Sequence, residues 1–348
     1  MNRKVSLKNV AALAGVATGT VSKYISNPNL VKPQNREKIA RAIKELNYTP
    51  NVLAQALGRG RSYNILLYII SENMIFESTW LHQLPLIQVV GDYINTSKYN
   101  MHIKVGKTNE TDAVLEYIKK NIDGKNIDGV ALVSTWQVSK NIISMLTKKQ
   151  FPFVLVDNHI PEIETNGFVI DNAQLAKDLV GYLYDKGHRK IGFISVPTEQ
   201  QHIKERYQGF IEGLKERGLE LNESWITYGD FSIQSGRKAA YTILKQRELP
   251  TAVIGGNDNM AVGFLNGVIE HGIKVPEEMS IVGIDNSIVA EACIPQLTTA
   301  QLPMKEIGKA AIESLINLIE NDQFQITKKV FQCSLVERNS VATIKNTK

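Results

Sequence analysis

The sequence predicts a small all-α head joined to a larger α/β body built from two doubly wound parallel sheets. Three observations predict it. Positive charge is concentrated near the N-terminus, the head carries only helical periodicity, and from Ile65 onward short apolar runs alternate with amphipathic stretches. With 348 residues the chain exceeds one ordinary core, so two or three domains are expected.

The head reads as three helices. Ser6 is placed to cap a first helix with Leu7, Val10, Ala11 and Ala14 on its apolar side, and Gly15 ends it, as a glycine just past a helix does. A second helix runs from about Thr18 to Ser26 with Val21 and Ile25 inward, and Asn27-Pro28-Asn29 makes a turn. Pro33 opens a third helix carrying Ile39, Ala42, Ile43 and Leu46 at helical spacing, broken at Tyr48-Thr49-Pro50-Asn51. A short helical stretch from Val52 to Leu57, stopped by Gly58, completes it.

The body alternates strands and helices. Apolar runs at Ile65–Ile70, Met101–Val105, Val130–Val133, Phe153–Val156, Ile191–Ile194, Ala252–Ile254 and Ile281–Ile284 read as strands. The helical stretches lie near 81–97, 110–121, 138–148, 172–186, 203–217, 233–246, 257–271 and 304–320. Repeated β-α units build parallel sheets flanked by helices, and this many fit two sheets better than one.

Charge separates the two parts. Residues 1–61 hold eleven Lys or Arg against Glu37 and Glu45, a local charge of +9, whereas the whole chain is +5, so the other 287 residues carry −4. A basic head on a mildly acidic body fits a polyanion-binding module or a solvated terminal extension, and charge alone does not separate them. Ile65–Ile70, the longest apolar run near the start, has six residues, far short of the roughly twenty that span a membrane. The N-terminus lacks the apolar core of a signal peptide, so a cytoplasmic location is expected. Cys293 and Cys333 lack zinc spacing and read as inert thiols in a reducing compartment. No nucleophile–base–acid set, metal-spaced histidine cluster or phosphate-cradling loop stands out. Neither catalysis, metal nor cofactor is therefore expected.

Two helices joined through Gly15, with a basic surface, form a helix-turn-helix, the second helix being the one for the major groove. Ser6-Leu7-Lys8-Asn9-Val10-Ala11, Ala14-Gly15-Val16 and Thr20-Val21-Ser22-Lys23 resemble the head of the lactose-repressor family (LacI/GalR type). The likeness continues through Arg36-Glu37-Lys38-Ile39, Leu46-Asn47-Tyr48-Thr49-Pro50-Asn51 and Ala54-Gln55-Ala56-Leu57. The resemblance implies that Thr18, Gly19 and Lys23 face base edges, with lysine where arginine is usual. It implies phosphate contacts from Thr20, Ser22, Asn27 and Tyr48, and it sets Ser6, Asn51 and Ala54 at the DNA as well. Leu57 matches a leucine wedged into the minor groove by paired hinge helices, which bends the duplex most cheaply at a pyrimidine–purine step; the alternative is packing between hinge and body. Ala17 stands where a capping serine is usual, a loss of about 1 kcal/mol, and Lys32 replaces another cap. A head loosely folded without DNA is expected.

The body resembles the periplasmic-binding-protein fold that completes this family. The matches are Val156-Asp157, Ile170-Asp171-Asn172, Gly187-His188-Arg189-Lys190-Ile191, Arg206-Tyr207-Gln208-Gly209-Phe210, Asn257-Asp258-Asn259-Met260-Ala261, Val282-Gly283-Ile284-Asp285 and Leu297-Thr298-Thr299. Such folds hold a ligand in the cleft between two subdomains, at strand C-termini. Asp157 and Asp285 each follow a strand and suit a pair of hydroxyl donors; Arg206 offers a planar fork. Of Asn257 and Asp258, one is expected to cap a helix while the other faces the cleft. Phe231 takes the position of an aromatic that stacks on a sugar face, and Trp136 the opposite wall. Bland readings stand beside these: caps for Asp157 and Asp258, an interdomain ion pair for Arg206, plain core for Phe231, a surface aromatic for Trp136. His188 reads as structural.

Departures from the family bear on the ligand. The loop Ser71–Trp80 is about five residues longer than the resemblance leads one to expect and contains Phe76, a further ligand candidate, and Trp80. Ala300-Gln301-Leu302 puts leucine where a polar contact is usual. A glycoside or disaccharide is expected over a simple hexose. A nucleobase or nucleoside effector, or control by a partner protein, is the alternative within the family. A transporter's solute-binding protein and a glycoside-processing enzyme using Asp157, Asp258 and Asp285 are the rivals outside it. The expected organisation is a DNA-binding domain at 1–50, a hinge and linker at 51–61, a first subdomain at 62–161 with 303–323 and a second at 162–302 with 324–348. A homodimer on a near-palindromic operator, switched by effector through a population shift, completes the expectation.

Overall fold

The computed structural model describes residues 5–48, 61–71, 83–158, 164–197, 200–321 and 326–344, apart from the side chain of Ser26. Asn51, Ala54, Leu57, Phe76 and Trp80 lie outside the described residues. The chain divides into two compact units, residues 1–63 with 121–128, and residues 64–120 with 129–348.

In the first unit, α1 is Leu7–Ala14, α2 is Thr18–Ser26 and α3 is Pro33–Glu45. The expected helices stand within a residue or two of their places. Gly15 adopts φ 63° at the end of α1, where its amide donates to Ala12 and the next amide, Val16, to Ala11. That left-handed turn is what glycine permits cheaply. At the start of α1 the Asn9 side-chain oxygen accepts from the Ser6 amide at 2.9 Å and from the Ser6 hydroxyl. Ala17 precedes α2 and supplies no side-chain cap. Val10, Ala11, Ala14, Val21, Val31, Ile39 and Ala42 form the core, with Leu7, Ile25, Leu46 and Tyr48 packed around it. Arg36 donates to the carbonyls of Val31 and Asn29 and to the Asn29 side chain. One of the head's positive charges thus serves the fold, tying α3 to the turn after α2. Past the linker, the Asp128 carboxylate accepts the amides of Ser62 and Tyr63 at 2.8 and 2.6 Å.

The second unit contains two six-stranded sheets. The first uses β1 (Asn64–Ser71), β2 (Asn100–Lys107), β3 (Gly129–Ser134), β4 (Phe153–Val156), β5 (Gly167–Ile170) and β11 (Lys328–Phe331), in the order β11-β5-β4-β3-β1-β2. The second uses β6 (Ile191–Ser195), β7 (Ile226–Tyr228), β8 (Ala252–Gly255), β9 (Ser280–Asp285), β10 (Thr298–Gln301) and β12 (Ser334–Val336), in the order β12-β10-β9-β8-β6-β7. Every pairing is parallel except β10 with β12. Between strands run α4 (Leu84–Asn95), α5 (Thr111–Asp123), α6 (Lys140–Lys148), α7 (Asn172–Asp185), α8 (Gln201–Glu216), α9 (Ile233–Leu244), α10 (Asp258–Glu270), the short α11 (Ile288–Ala292) and α12 (Met304–Asn321). No helix among the described residues is long and apolar enough to cross a membrane.

The chain passes between the sheets three times. It leaves the first sheet after β5, for α7 packs on α8 of the second half. It returns after β10, for α12 packs on α4, β3 and β4. It leaves again between β11 and β12 through Gln332 and Cys333. The subdomain boundaries expected at 161/162 and 323/324 therefore move to about 171 and 332, because β5 and β11 extend the first sheet. β11 opens on two lysines and is largely exposed, so it makes no apolar run, while β5 is buried but offers only Phe168–Ile170 after its glycine. The first and third crossings touch: the Asp171 amide donates to the Phe331 carbonyl at 3.1 Å, and Gln332 donates to the Asp171 carboxylate at 3.2 Å.

Candidate functional site

Two sets of residues stand out, one in each unit. On α2, Thr18, Gly19, Ser22 and Lys23 are exposed, Val21 is buried, and Thr20, Tyr24 and Ile25 are half-buried. At about 100° per residue the four exposed positions span one face of roughly 140°, opposite the buried side. That face is small and polar and ends in a cation at the helix C-terminus. Nothing lies within 4 Å of where a Gly19 side chain would start, so the face is open there. Thr20 sits at its edge, half-buried. Ser6 is exposed at the start of α1. Asn27 uses its side-chain oxygen to accept the Asn29 amide at 3.0 Å, leaving only its amino group for a phosphate. Tyr48 is half-buried against the head core.

In the second unit, side chains from both sheets converge where strands end. Asp157 follows β4 in the first half, at φ 54°. Asp285 ends β9 in the second half, at φ 127°, and Asn286 follows at φ 54°. The Asp285 angle is one that residues with a side chain rarely adopt, and such strain gathers at ligand sites. Arg206 on α8 is buried at 5% exposure. Its Nε donates to the Asn172 side chain at 2.9 Å and its Nη1 to the Gly256 carbonyl at 3.0 Å. Both acceptors are neutral and belong to the second half, so Arg206 is fixed in place without losing its charge to an ion pair.

That charge acts on the carboxyls. Burial pushes Asp157 up to about 7, against the pull of Arg206, with Glu205 adding to the rise. Burial also drives Asp285 well above the usual carboxylate range, and the charges of Asp258 and Asp157 add to it, while Arg206 and the Asp258 amide oppose. Cys333, in the third crossing, is pushed up to about 12, chiefly by burial, and it senses Arg206, Asp157 and Asp285. These four groups thus share one neighbourhood. Cys333 was read from sequence as an inert thiol; its raised value keeps it protonated, and its position beside the carboxyls was not legible in spacing.

Asn257 and Asp258 take different parts, and only Asp258 differs from expectation. Asn257 Oδ1 accepts the Met260 amide at 2.9 Å and caps α10, and its Nδ2 holds the Phe231 carbonyl at 3.2 Å. Asp258, expected to face the cleft if its neighbour capped, is instead fully buried. One oxygen accepts the Thr299 hydroxyl, and the other accepts the Ser287 amide at 2.7 Å and hydroxyl at 2.9 Å. Buried and holding three donors, it serves as an anchor for the turn after Asp285. Burial lifts it to about 6 against the pull of those hydrogen bonds and of Arg338. Gly283 permits the approach, since a Cβ there would collide with Asp258 Oδ1. Phe231, at φ 68°, is half-buried and packs against the second subdomain's core. Trp136 is half-buried in the loop after β3. Leu302 is buried at the second crossing. His188 is buried, bonded to Thr251 and to the Ala342 carbonyl, and burial lowers its imidazole.

Sequence reasoning missed Asn286, Ser287, Thr299 and Arg338 as supports. Arg338 donates to Asn286 Oδ1 at 2.6 Å, to Glu291 at 3.1 Å and to the Leu297 carbonyl at 2.9 Å. Only Thr299 lay in a stretch that drew notice, without a stated role.

Comparison with known proteins adds to this geometry. Residues 6–51 match the model for bacterial regulatory proteins of the lacI family, and residues 180–341 match a periplasmic binding protein-like domain. The chain is 34% identical over 340 residues to the HTH-type transcriptional repressor PurR of Proteus mirabilis, covering 97% of each. It is similar to a solved complex of the transcriptional regulator CelR with cellobiose, at 30% identity and a TM-score of 0.70, covering 97% of this chain and 99% of that one. The fold also matches that of a lac repressor dimer bound to operator and an anti-inducer, at a TM-score of 0.81 and 22% identity over 98% of this chain and 100% of the other.

Proposed function

The chain belongs to the lacI family of bacterial regulatory proteins, and from that premise we propose that it represses transcription as a dimer on a near-palindromic operator, released or tightened by a small carbohydrate. The observation that carries the effector half is the convergence of Asp157 from one subdomain with Arg206 and Asp285 from the other. A hydroxylated ligand offers donors to both carboxyls and acceptors to the remaining N–H groups of Arg206, so one molecule can bond both halves. A ligand bridging the two halves binds one relative arrangement more tightly than another, and that difference shifts the population. The likeness to the CelR–cellobiose complex supports a sugar as effector.

The DNA half rests on the exposed face of α2. Lys23 is the base-reading cation, with Thr18 and Gly19 too short for much direct readout. Thr20, Ser22, Ser6, Asn27 and Tyr48 position the module on phosphates. Asn51, Ala54 and Leu57 carry the hinge and wedge of this reading, and Leu57→Ala should weaken specific binding far more than non-specific binding.

The test is thermal shift of the full chain against a carbohydrate panel that includes cellobiose, with nucleosides as a second arm. A ligand at 100 times its dissociation constant adds about 2.7 kcal/mol, readily seen. Arg206→Ala should abolish the shift and the response of operator binding to ligand while leaving operator affinity intact. Loss of operator binding in that variant would reject the ligand role; stabilisation by nucleosides alone would replace the sugar.

A further inference from the structure

Asn158, the residue after Asp157, is 8% exposed and does one thing in the fold. Its Nδ2 donates to the Ser134 carbonyl at 3.1 Å and to the Trp136 carbonyl at 2.5 Å. Its Oδ1, although shut off from solvent, has no protein partner. Among the described residues, the Asn158 side chain bonds only to the end of β3 and the loop after it. Ser134, fully buried at the end of β3, completes the fastening. Its hydroxyl donates to the Trp136 carbonyl at 2.9 Å and accepts the Trp136 amide at 3.1 Å. The peptide groups on both sides of Trp136 are thus held, which restricts where the indole can point.

We propose that Asn158 is a positioning residue of the effector site, clasping the loop that carries Trp136 to the turn that carries Asp157. The inference rests on the effector reading above. β3 and β4 are paired in register from Val130–Phe153 to Val133–Val156, but beyond Val156 no ladder joins the two chains. Loops past the end of a ladder move independently unless a side chain bridges them. Asn158 is that bridge. The left-handed turn at Asp157 ends the strand direction just before it, and the asparagine amide then reaches back across to β3. An aromatic wall and an acceptor carboxylate are held at one spacing, which lowers the ordering cost when a ligand binds. The unfilled Oδ1 leaves the amide free of any competing protein bond.

The experiment uses the full chain labelled with 5-fluorotryptophan. Its three tryptophans, Trp80, Trp136 and Trp225, are assigned by single Trp→Phe substitutions. Asn158→Ala should shift or broaden the Trp136 fluorine resonance of the free protein while leaving that of Trp225 in place. Asn158→Asp, of equal size, should do the same by replacing the donor with a second acceptor, and it serves if the alanine variant misfolds. An unmoved Trp136 resonance overturns the clasp. With cellobiose as probe, Asn158→Ala should weaken binding at least tenfold in the wild-type background and less than threefold in Trp136→Ala, where the clasp holds no ring. Equal losses in both backgrounds overturn the positioning role. If cellobiose fails to bind the wild type, the disaccharide reading loses its support, and the resonance of the free protein still decides the clasp.

Discussion

Effector binding should strengthen as pH rises through neutrality, because an acceptor that is protonated cannot accept. Asp157 is held at about 7, chiefly by burial. It is then roughly one-tenth ionised at pH 6 and roughly nine-tenths at pH 8. A ligand that donates hydroxyls to the carboxylate selects the ionised form, so its apparent affinity should rise about tenfold across that interval. Asp285, raised also, adds to the slope in the same direction. The assay is calorimetric titration of the full chain with cellobiose at pH 6, 7 and 8, repeated in Asp157→Asn, which removes the titrating group and should flatten most of the slope. A dissociation constant equally flat in both proteins, or equally steep, would refute the argument. Stability supplies a second check without ligand. The folded value of Asp157 lies above the unfolded one, so between about pH 4 and pH 7 the folded chain keeps a proton that the unfolded chain has released. Relative to Asp157→Asn, the wild type should therefore lose stability as pH rises through that window and run level on either side of it.

Three further outcomes follow from the geometry. Ala17→Ser restores a cap to α2 and should stabilise the head by about 1 kcal/mol, read as slower exchange of the Thr20 and Val21 amides; unchanged exchange would mean that the missing cap is not the weak point. Gly283→Ala drives a methyl into Asp258 Oδ1 and should cost more than about 2 kcal/mol in the thermal melt of the body, with no change in the melt of the head. Lys23→Ala should reduce discrimination between operator and random DNA in a competition assay, and Lys23→Arg should retain it; equal binding of both DNAs by wild type and variants would remove Lys23 from readout.

Much of the fold was legible because its signals are local. Gly15, Pro33 and the apolar spacing of α1 to α3 are read within a few residues, and the head matches them. Most strands seen in sequence are buried on both faces, such as β1 and β4, which form continuous apolar runs, whereas β2, read as Met101–Val105, is a largely exposed edge strand. β7, β10, β11 and β12 have three or four residues each, and β11 and β12 are largely exposed edge strands. An edge strand has one face against the core and one ladder to satisfy, so it needs few apolar residues. The site divides likewise. Asp157, Asp285 and Arg206 were legible from a strand-end position or a motif. That Asp258 turns inward depends on Ser287 and Thr299, which are 29 and 41 residues away. Asn158 gave no signal, since its role is set by the carbonyls of Ser134, at the end of β3, and Trp136, in the loop after it.

The supports around Asp285 bear on how a ligand is felt at a distance. Asn286 donates to the Gln301 side chain at 3.2 Å and its amide to Thr299 at 3.3 Å, while Arg338 holds its Oδ1. Gln301 is the last residue of β10, directly before the second crossing, and Arg338 follows β12, just beyond the third. The turn that presents Asp285 is therefore bonded to both sides of the passage between subdomains. Its strained backbone persists only because those partners over-determine it. A ligand that draws Asp285 toward Asp157 cannot move the carboxylate alone, for the turn is packed and bonded and has few intermediate positions. It must move Gln301 and Arg338 with it, or rotate the halves. In either case the energy of ligand contact is spent at the crossings. That is where it can bias one arrangement of the body over another, and by linkage the affinity for DNA.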